Sequence, residues 1–143
     1  MDVSEFLAQP LVARLAVTGK DGHPTVRPVW FLFEDKTFWW LTGSSYSRLQ
    51  DLLAIDPRVA LVVDSCDLTT GQVLAVTARG QAVVHALDPQ RATRKLTKYL
   101  GPAAGLWPSR FQDALTDPTT RLVSLQPAHD LVLRDMSYDP PAR

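Results

Sequence analysis

The chain has 143 residues, of which 45% are hydrophobic and 21% are charged, values typical of a globular protein. Its 15 basic and 15 acidic residues give a formal net charge of zero, which argues against a dedicated nucleic-acid binder. The single cysteine, Cys66, excludes an intramolecular disulfide, and no apolar run approaches the roughly 20 residues of a membrane-spanning helix. We therefore expect one cytoplasmic domain over residues 1–143, with no nucleic-acid or membrane partner.

The N-terminal segments indicate a short helix followed by three strands. "VSEFLAQ" predicts one or two helical turns, with Ser4 as the cap and Pro10 after the end. Alternating apolar residues predict strands in "LVARLAVTGK" and "PTVRPVWFLFED", which the turn signal Lys20-Asp21-Gly22 joins as a hairpin. The aromatic segment "TFWWLTG" is the third predicted strand.

The middle of the chain predicts a helix and two long strands. Leucines at helical spacing predict a helix from Ser47 to Ile55, which Asp56-Pro57 ends. "RVALVVDSC" is a predicted strand, and Cys66 at its end is expected to be a small buried residue. "QVLAVTARGQAVVHAL" is long enough to be a strand that bends at Gly80.

The C-terminal part predicts helices and two closing strands. Asp88 is a cap and Pro89 a first helical residue, so a helix is expected to run to about Tyr99. An irregular connection leads to a short helix predicted from Ser109 to Leu115. "TRLVSLQP" and "DLVLRDM" are predicted to close the chain as strands.

Many short strands and few helices favour a mainly β fold with short helices (α+β), a closed or partly closed antiparallel barrel. The second, third and fourth strands carry apolar residues on both faces, so both faces must be covered. Helices so few and short are not expected to cover the outer face. A second subunit or a large flat ligand is then required, and we infer a homodimer packed through the barrel wall.

The order of these segments is also that of a known family. The segments "DGHPTVRPVWF", the aromatic third strand and "SR…L…DPRVALVVD" lie within Phe6 to Gly101. This region resembles the pyridoxamine-5′-phosphate-oxidase-like FMN-binding split β-barrel superfamily, nearest to the small flavin- and deazaflavin (F420)-dependent oxidoreductases. The resemblance implies a homodimer with two equivalent clefts at the subunit interface. In each, FMN or coenzyme F420 would lie across the second and third strands, with its phosphate by the turn before the second helix.

By position, the resemblance implies that Pro28, Val29 and Trp30 line the ring system of the cofactor. Thr42 would lie near its sugar-like chain, and Ser47 and Arg48 would hold its phosphate. Many relatives carry a lysine after the Ser-Arg pair, where this chain has Leu49, so the phosphate would be held with less charge.

Several of these residues also have ordinary structural interpretations. Ser45 or Ser47 can cap a helix, and Arg48 can be a surface charge. Arg27 is either paired at the barrel rim or reaches the ligand. Trp107, in the loop from Gly101 to Arg110, either anchors that loop or overhangs a cleft, its own or the partner's.

The predicted function is an FMN- or F420-dependent oxidoreductase that moves a hydride to or from a small organic substrate. The residues assign no catalytic acid or base, and the substrate is not identified. The three histidines lack metal-ligand spacing, so no metal site is expected. The alternatives are a non-enzymatic split barrel that binds flavin or haem, and a degenerate barrel with an empty cleft.

Overall fold

The computed structural model describes residues 1–142, which form eight strands, four α-helices and one 3-10 turn. In chain order these are α1 (Val3–Leu7), β1 (Ala13–Thr18), β2 (Pro24–Val29), β3 (Leu32–Glu34), β4 (Thr37–Gly43), α2 (Leu49–Ile55), β5 (Arg58–Asp67), β6 (Gln72–Ala86), α3 (Pro89–Leu100), the 3-10 turn (Ala104–Leu106), α4 (Ser109–Thr116), β7 (Thr120–Leu125) and β8 (Arg134–Asp135).

The strands form one antiparallel system in the order β2-β1-β5-β6-β7-β4-β3, and β8 also pairs with β6. β6 joins its two halves, because it pairs with β5 as far as Gln81 and with β7 from Ala82 onward. The change of partner between Gln81 and Ala82 lies one residue beyond Gly80, where a bend was predicted. A Cβ atom on Gly80 would lie 3.0 Å from the carbonyl oxygen of Gln126, so only glycine fits there without a shift. The predicted mainly antiparallel α+β class is confirmed.

The core lies between the inner faces of the strands and under two helices. Leu15, Val63 and Phe38 are fully buried, and Trp40 is almost so. α1 contributes Phe6, and α2 contributes the buried side chains that its leucine spacing predicts: Leu49, Leu52 and Leu53.

The outer face of β4 is covered by α3 at Trp39, so the expectation that no helix could cover this face was wrong there. The guanidinium of Arg91 lies 3.8 Å from the ring centroid of Trp39 and donates a 2.6 Å hydrogen bond to Glu34. Arg94 also binds Glu34, and these hydrogen bonds lower the pKa of the Glu34 carboxyl. Part of this face is therefore covered without a partner, while Leu41 of the same strand stays partly exposed.

The opposite half of the strand system keeps an open outer face. Val26 is 69% exposed there, in a shallow groove of about 610 Å³. Small and apolar residues with two arginines and one histidine line it: Arg14, Ala16, Val26, Ala60, Leu61, Val62, Thr77, Ala78, Arg79 and His129.

Three local expectations were wrong. Asp2, and not Ser4, caps α1, because its carboxylate accepts from the backbone N–H of Glu5, whose side chain accepts in return from the Asp2 N–H. Cys66 is exposed, because it lies in the part of β5 beyond Val63, where β5 no longer pairs with β1. "DLVLRDM" pairs in the sheet only at Arg134–Asp135.

Candidate functional site

The predicted second strand is interrupted at Trp30 and Phe31, and the side chain of Tyr99 fills the interruption. The Tyr99 hydroxyl accepts a 3.0 Å hydrogen bond from the backbone N–H of Phe31 and lies 2.6 Å from the carbonyl oxygen of Leu11, to which it donates. Burial raises the pKa of Tyr99 to about 12, so the hydroxyl keeps its proton at neutral pH. Two backbone groups that the sheet leaves unpaired are thus satisfied from α3.

Lys98, the neighbour of Tyr99 on α3, fixes the same interruption. Its ammonium donates to the carbonyl oxygens of Phe31 (3.0 Å) and Leu7 (2.8 Å) and lies 3.7 Å from the ring centroid of Phe31. Burial, with the repulsion of Lys95, lowers the pKa of Lys98 to about 7, while the two carbonyl acceptors favour the ammonium form. α3 therefore holds the end of β2 at two adjacent side chains.

Trp30 is stacked between two aromatic rings. Its ring centroid lies 4.5 Å from that of Tyr99 and 5.1 Å from that of Phe111, with interplanar angles of 3° and 8°. Both faces of the indole are therefore covered. A ligand beside Trp30 would meet the edge of the indole and not its face.

A cleft of about 820 Å³ opens beside this stack, among the end of β2, the outer face of β4, the turn before α2, α3 and α4. Its volume is in the range of small-molecule sites, roughly 300–1,000 Å³. Apolar and aromatic side chains line most of it, with a few charged groups: Pro28, Val29, Trp30, Leu41, Tyr46, Lys95, Leu96, Arg110, Phe111, Asp113, Ala114 and Asp117.

Lys95 is the unusual residue of this cleft. Its side chain is only 7% exposed, and within residues 1–142 its ammonium has no hydrogen-bond acceptor and no carboxylate partner, although its nitrogen is not among the fully buried atoms without a partner and so keeps some contact with the cleft. Burial lowers the pKa of Lys95 to about 8, so most of the amine is still protonated at neutral pH. A buried charge without a partner is unfavourable, so the cleft is suited to a group that brings negative charge or electron-rich oxygen.

The carboxylates that line the cleft do not neutralise this amine. Asp117 accepts hydrogen bonds from the hydroxyl of Ser45 and from the backbone N–H and hydroxyl of Thr119, both at 2.7 Å. These bonds, that from Ser45 first, lower the pKa of Asp117. Asp113 is exposed, and neither carboxylate lies within ion-pair distance of Lys95.

In the turn before α2, Arg48 occupies the cap position without a capping bond of its own side chain, and Ser47 supplies an acceptor one residue earlier. The Ser47 hydroxyl accepts a 3.1 Å hydrogen bond from the backbone N–H of Leu49. Arg48 is exposed and has no ion pair with any residue that the structure describes, so it is available to an anion. Thr42 is 1% exposed, its hydroxyl has no partner within residues 1–142, and it does not line the cleft.

The cleft brings together three of the eight residues predicted to bind a cofactor, namely Pro28, Val29 and Trp30. Arg27 lies outside it: one terminal nitrogen donates to the Thr25 hydroxyl at 3.3 Å, and its buried Nε has no partner among the described residues. Arg27 therefore has no carboxylate at the barrel rim. The cofactor-binding roles of these residues stay predictions.

Trp107 has the structural role that was one of its two interpretations. It is 4% exposed, and its indole N–H donates a 2.9 Å hydrogen bond to the carbonyl oxygen of Gly101. It anchors the loop and does not line the cleft. The loop leads instead into α4, whose Arg110 and Phe111 reach the cleft.

Lys95 and Phe111 line the cleft but were not among the residues predicted from the sequence. A signal for Lys95 was present, because Ala92, Lys95, Leu96 and Tyr99 recur at the spacing of one helix face. A lysine on an otherwise apolar stripe indicates a buried amine. Phe111 had no such signal, since its contact with Trp30 depends on how α4 docks.

Residues 1–142 contain no group of three or more histidine, cysteine, aspartate or glutamate side chains arranged to hold a metal ion. No helix among them is both long and apolar enough to span a bilayer.

Comparisons with known proteins agree with this architecture. Residues 2–129 match the family described as pyridoxamine 5′-phosphate oxidase. No match was found among curated proteins. Among solved structures, the heme storage protein HutZ from Vibrio cholerae has 16% identity over 94% of this chain and 93% of that chain, with a TM-score of 0.71.

Two further structures share the fold. An F420 reductase has 21% identity over 90% of this chain and 94% of that chain, with a TM-score of 0.64. A FAD-binding protein from Mesorhizobium loti has 20% identity over 93% and 91% of the two chains, with a TM-score of 0.64. At such identities the likeness shows only a common fold. The three proteins that share it are named for different groups, namely haem, F420 and FAD.

Proposed function

Because the chain belongs to the pyridoxamine 5′-phosphate oxidase family, we propose that it is a flavin-type oxidoreductase. It would use FMN or coenzyme F420 to transfer a hydride to or from a small organic substrate. The observation that carries the proposal is the position of the cleft. It adjoins the end of β2, β4 and the turn before α2, the three elements along which the resemblance would place such a cofactor.

The side chains of the cleft suit a flat ring system. Pro28, Val29 and Leu41 provide apolar surface, and the edge of Trp30 borders it. The cofactor would supply the hydride chemistry, and this chain would bind it, orient it and exclude water.

The phosphate end of such a cofactor would be held by little charge. Arg48 is the one cation in the segment from Gly43 to Leu49, and Leu49 removes a charge that relatives often supply. Asp117 is bound to Ser45 in the same turn, so its negative charge opposes a phosphate. We therefore expect ring contacts to contribute more to affinity than the phosphate does.

A homodimer is part of the proposal. The open outer face of β1, β2, β5 and β6 is apolar, with Val26, Ala60 and Val62 among its surface residues. A second copy would remove that surface from water. The functional unit would then be two chains joined through this face.

The test is a titration of purified protein with FMN and with F420, followed by absorbance and fluorescence. We expect one of them to bind at micromolar concentration, and Arg48→Ala to weaken it about tenfold, or about 1.4 kcal/mol. Arg134→Ala removes an exposed charge of the same kind on β8 and serves as the control. Binding of neither cofactor would overturn the proposal, and an unchanged affinity in Arg48→Ala would remove Arg48 from its role.

A second candidate is a non-enzymatic protein that binds flavin or haem. The observation that favours haem is the shallow groove, where His129 lies on an apolar surface with Arg14 and Arg79. Imidazole is a common haem ligand, and arginines suit the haem carboxylates. Haem titration distinguishes this candidate: an intense visible band lost in His129→Ala would favour it. The third alternative, an empty cleft, predicts that no titrant binds.

A further inference from the structure

We propose that the cleft binds an organic acid with an apolar body, and that Lys95 is the residue that ligates its carboxylate. This inference rests on the proposed function in one respect, namely that the bound acid would be the substrate of the proposed oxidoreductase. The binding site itself follows from the residues of the cleft.

The first step is the unmet charge. Lys95 is 7% exposed, lines the cleft, and has neither a carboxylate nor a carbonyl acceptor within residues 1–142. By contrast Lys98, one turn further along α3, donates to two carbonyl oxygens. The fold thus supplies acceptors to Lys98, whereas the Lys95 amine has none among residues 1–142 and faces the cleft.

The second step is the sign and the number of charges. One buried ammonium neutralises one negative charge. The other charged groups of the cleft are Arg110, which is exposed, and Asp113 and Asp117, which would repel further negative charge. A carboxylate matches this balance. A phosphate dianion would bring a second charge without a buried cation to meet it.

The third step is the rest of the ligand. Leu96 of α3 and Ala114 of α4 make the wall on the Lys95 side of the cleft apolar. An apolar body would displace water from them, and the contact between ammonium and carboxylate would then be made where water is scarce. A neutral amide of the same shape would gain the wall contacts without the charge contact.

The experiment is calorimetric titration with naphthoate and with naphthamide, near neutral pH and without added flavin. In the wild-type chain we expect naphthoate to bind at least about tenfold more tightly than naphthamide. Lys95→Met should abolish that preference while leaving the affinity for naphthamide unchanged. Lys20→Met removes the same charge from an exposed turn and should keep the preference.

The inference is overturned if the wild type binds the two compounds equally, or if Lys95→Met keeps the preference. Repeating the titration with saturating FMN gives a second check. If naphthoate still binds in the presence of FMN, the acid site is separate from the cofactor site. If FMN displaces naphthoate competitively, the amine belongs to the cofactor site and the inference is overturned. A chain that binds naphthoate through Lys95 but binds no flavin refutes the proposed function and leaves this site standing.

Discussion

Replacing Lys95 by methionine should stabilise the protein without a ligand. The amine is buried and has no partner within residues 1–142, and burial lowers its pKa from the ordinary lysine value of 10.5 to about 8. This difference of about 2.5 pH units corresponds to about 3 kcal/mol, at about 1.4 kcal/mol for each unit. Methionine keeps an unbranched apolar stem of similar size, so the free energy of unfolding should rise by up to that amount near neutral pH.

The sign of the pH dependence follows from proton binding. Between pH values of about 8 and 10.5 the unfolded chain holds a proton on Lys95 that the folded chain has released. Stability of the wild type therefore rises with pH across this window. The penalty is fully present below about pH 8 and should be reduced by about 2 kcal/mol at about pH 9.5. The Lys95→Met protein lacks this gain, so the free energies of unfolding of the two proteins should converge as the pH rises.

Urea denaturation followed by tryptophan fluorescence measures this difference at several pH values. Lys98 titrates in both proteins, and removing Lys95 relieves the repulsion that lowers the Lys98 pKa, which adds to the stabilisation. Lys20→Met controls for the loss of a surface charge. A destabilised Lys95→Met protein, or a stability difference that does not shrink with rising pH, would refute the reasoning.

Three further predictions follow from the fold. Tyr99→Phe should lower the free energy of unfolding by about 1–3 kcal/mol, because the backbone N–H of Phe31 loses its acceptor; an unchanged urea midpoint would contradict this. Asp88→Ala should cost about 1 kcal/mol, since its carboxylate accepts two backbone N–H groups at the start of α3. Helical circular dichroism and the urea midpoint check this, and equal midpoints would disprove it. Val26→Glu should convert a dimer into monomers in sedimentation, with little effect on a single chain, because Val26 is 69% exposed there; an intact dimer would place the interface elsewhere.

Features set by local chemistry could be predicted from the sequence. Asp88 and Pro89 begin α3 where the cap and the fixed proline φ indicate, and Asp88 indeed accepts from the backbone N–H groups of Gln90 and Arg91. Gly80 lies next to the point, between Gln81 and Ala82, where β6 changes partner. Such signals lie within a few residues of the feature they determine.

Features set by distant contacts could not be predicted in this way. The run that contains Trp30 and Phe31 predicts one continuous strand, yet the strand is interrupted at these two residues. The cause is Tyr99, which lies 68 residues from Phe31 in the sequence and binds its backbone N–H. The cleft depends likewise on α4, whose Phe111 stacks on Trp30. Lys95 could be recognised as buried from its place on the apolar stripe of α3, but the sequence does not show that its amine lacks a partner.

The attachment of α3 to the end of β2 has a consequence for binding entropy. Lys98 and Tyr99 bind the backbone of Phe31, while Lys95 lies one turn earlier on the same helix. One wall of the cleft and the amine that lines it are therefore held in a fixed relation before any ligand arrives. A ligand that meets such a preorganised surface loses less free energy to ordering side chains and loops, so a compound of modest size can bind there with useful affinity.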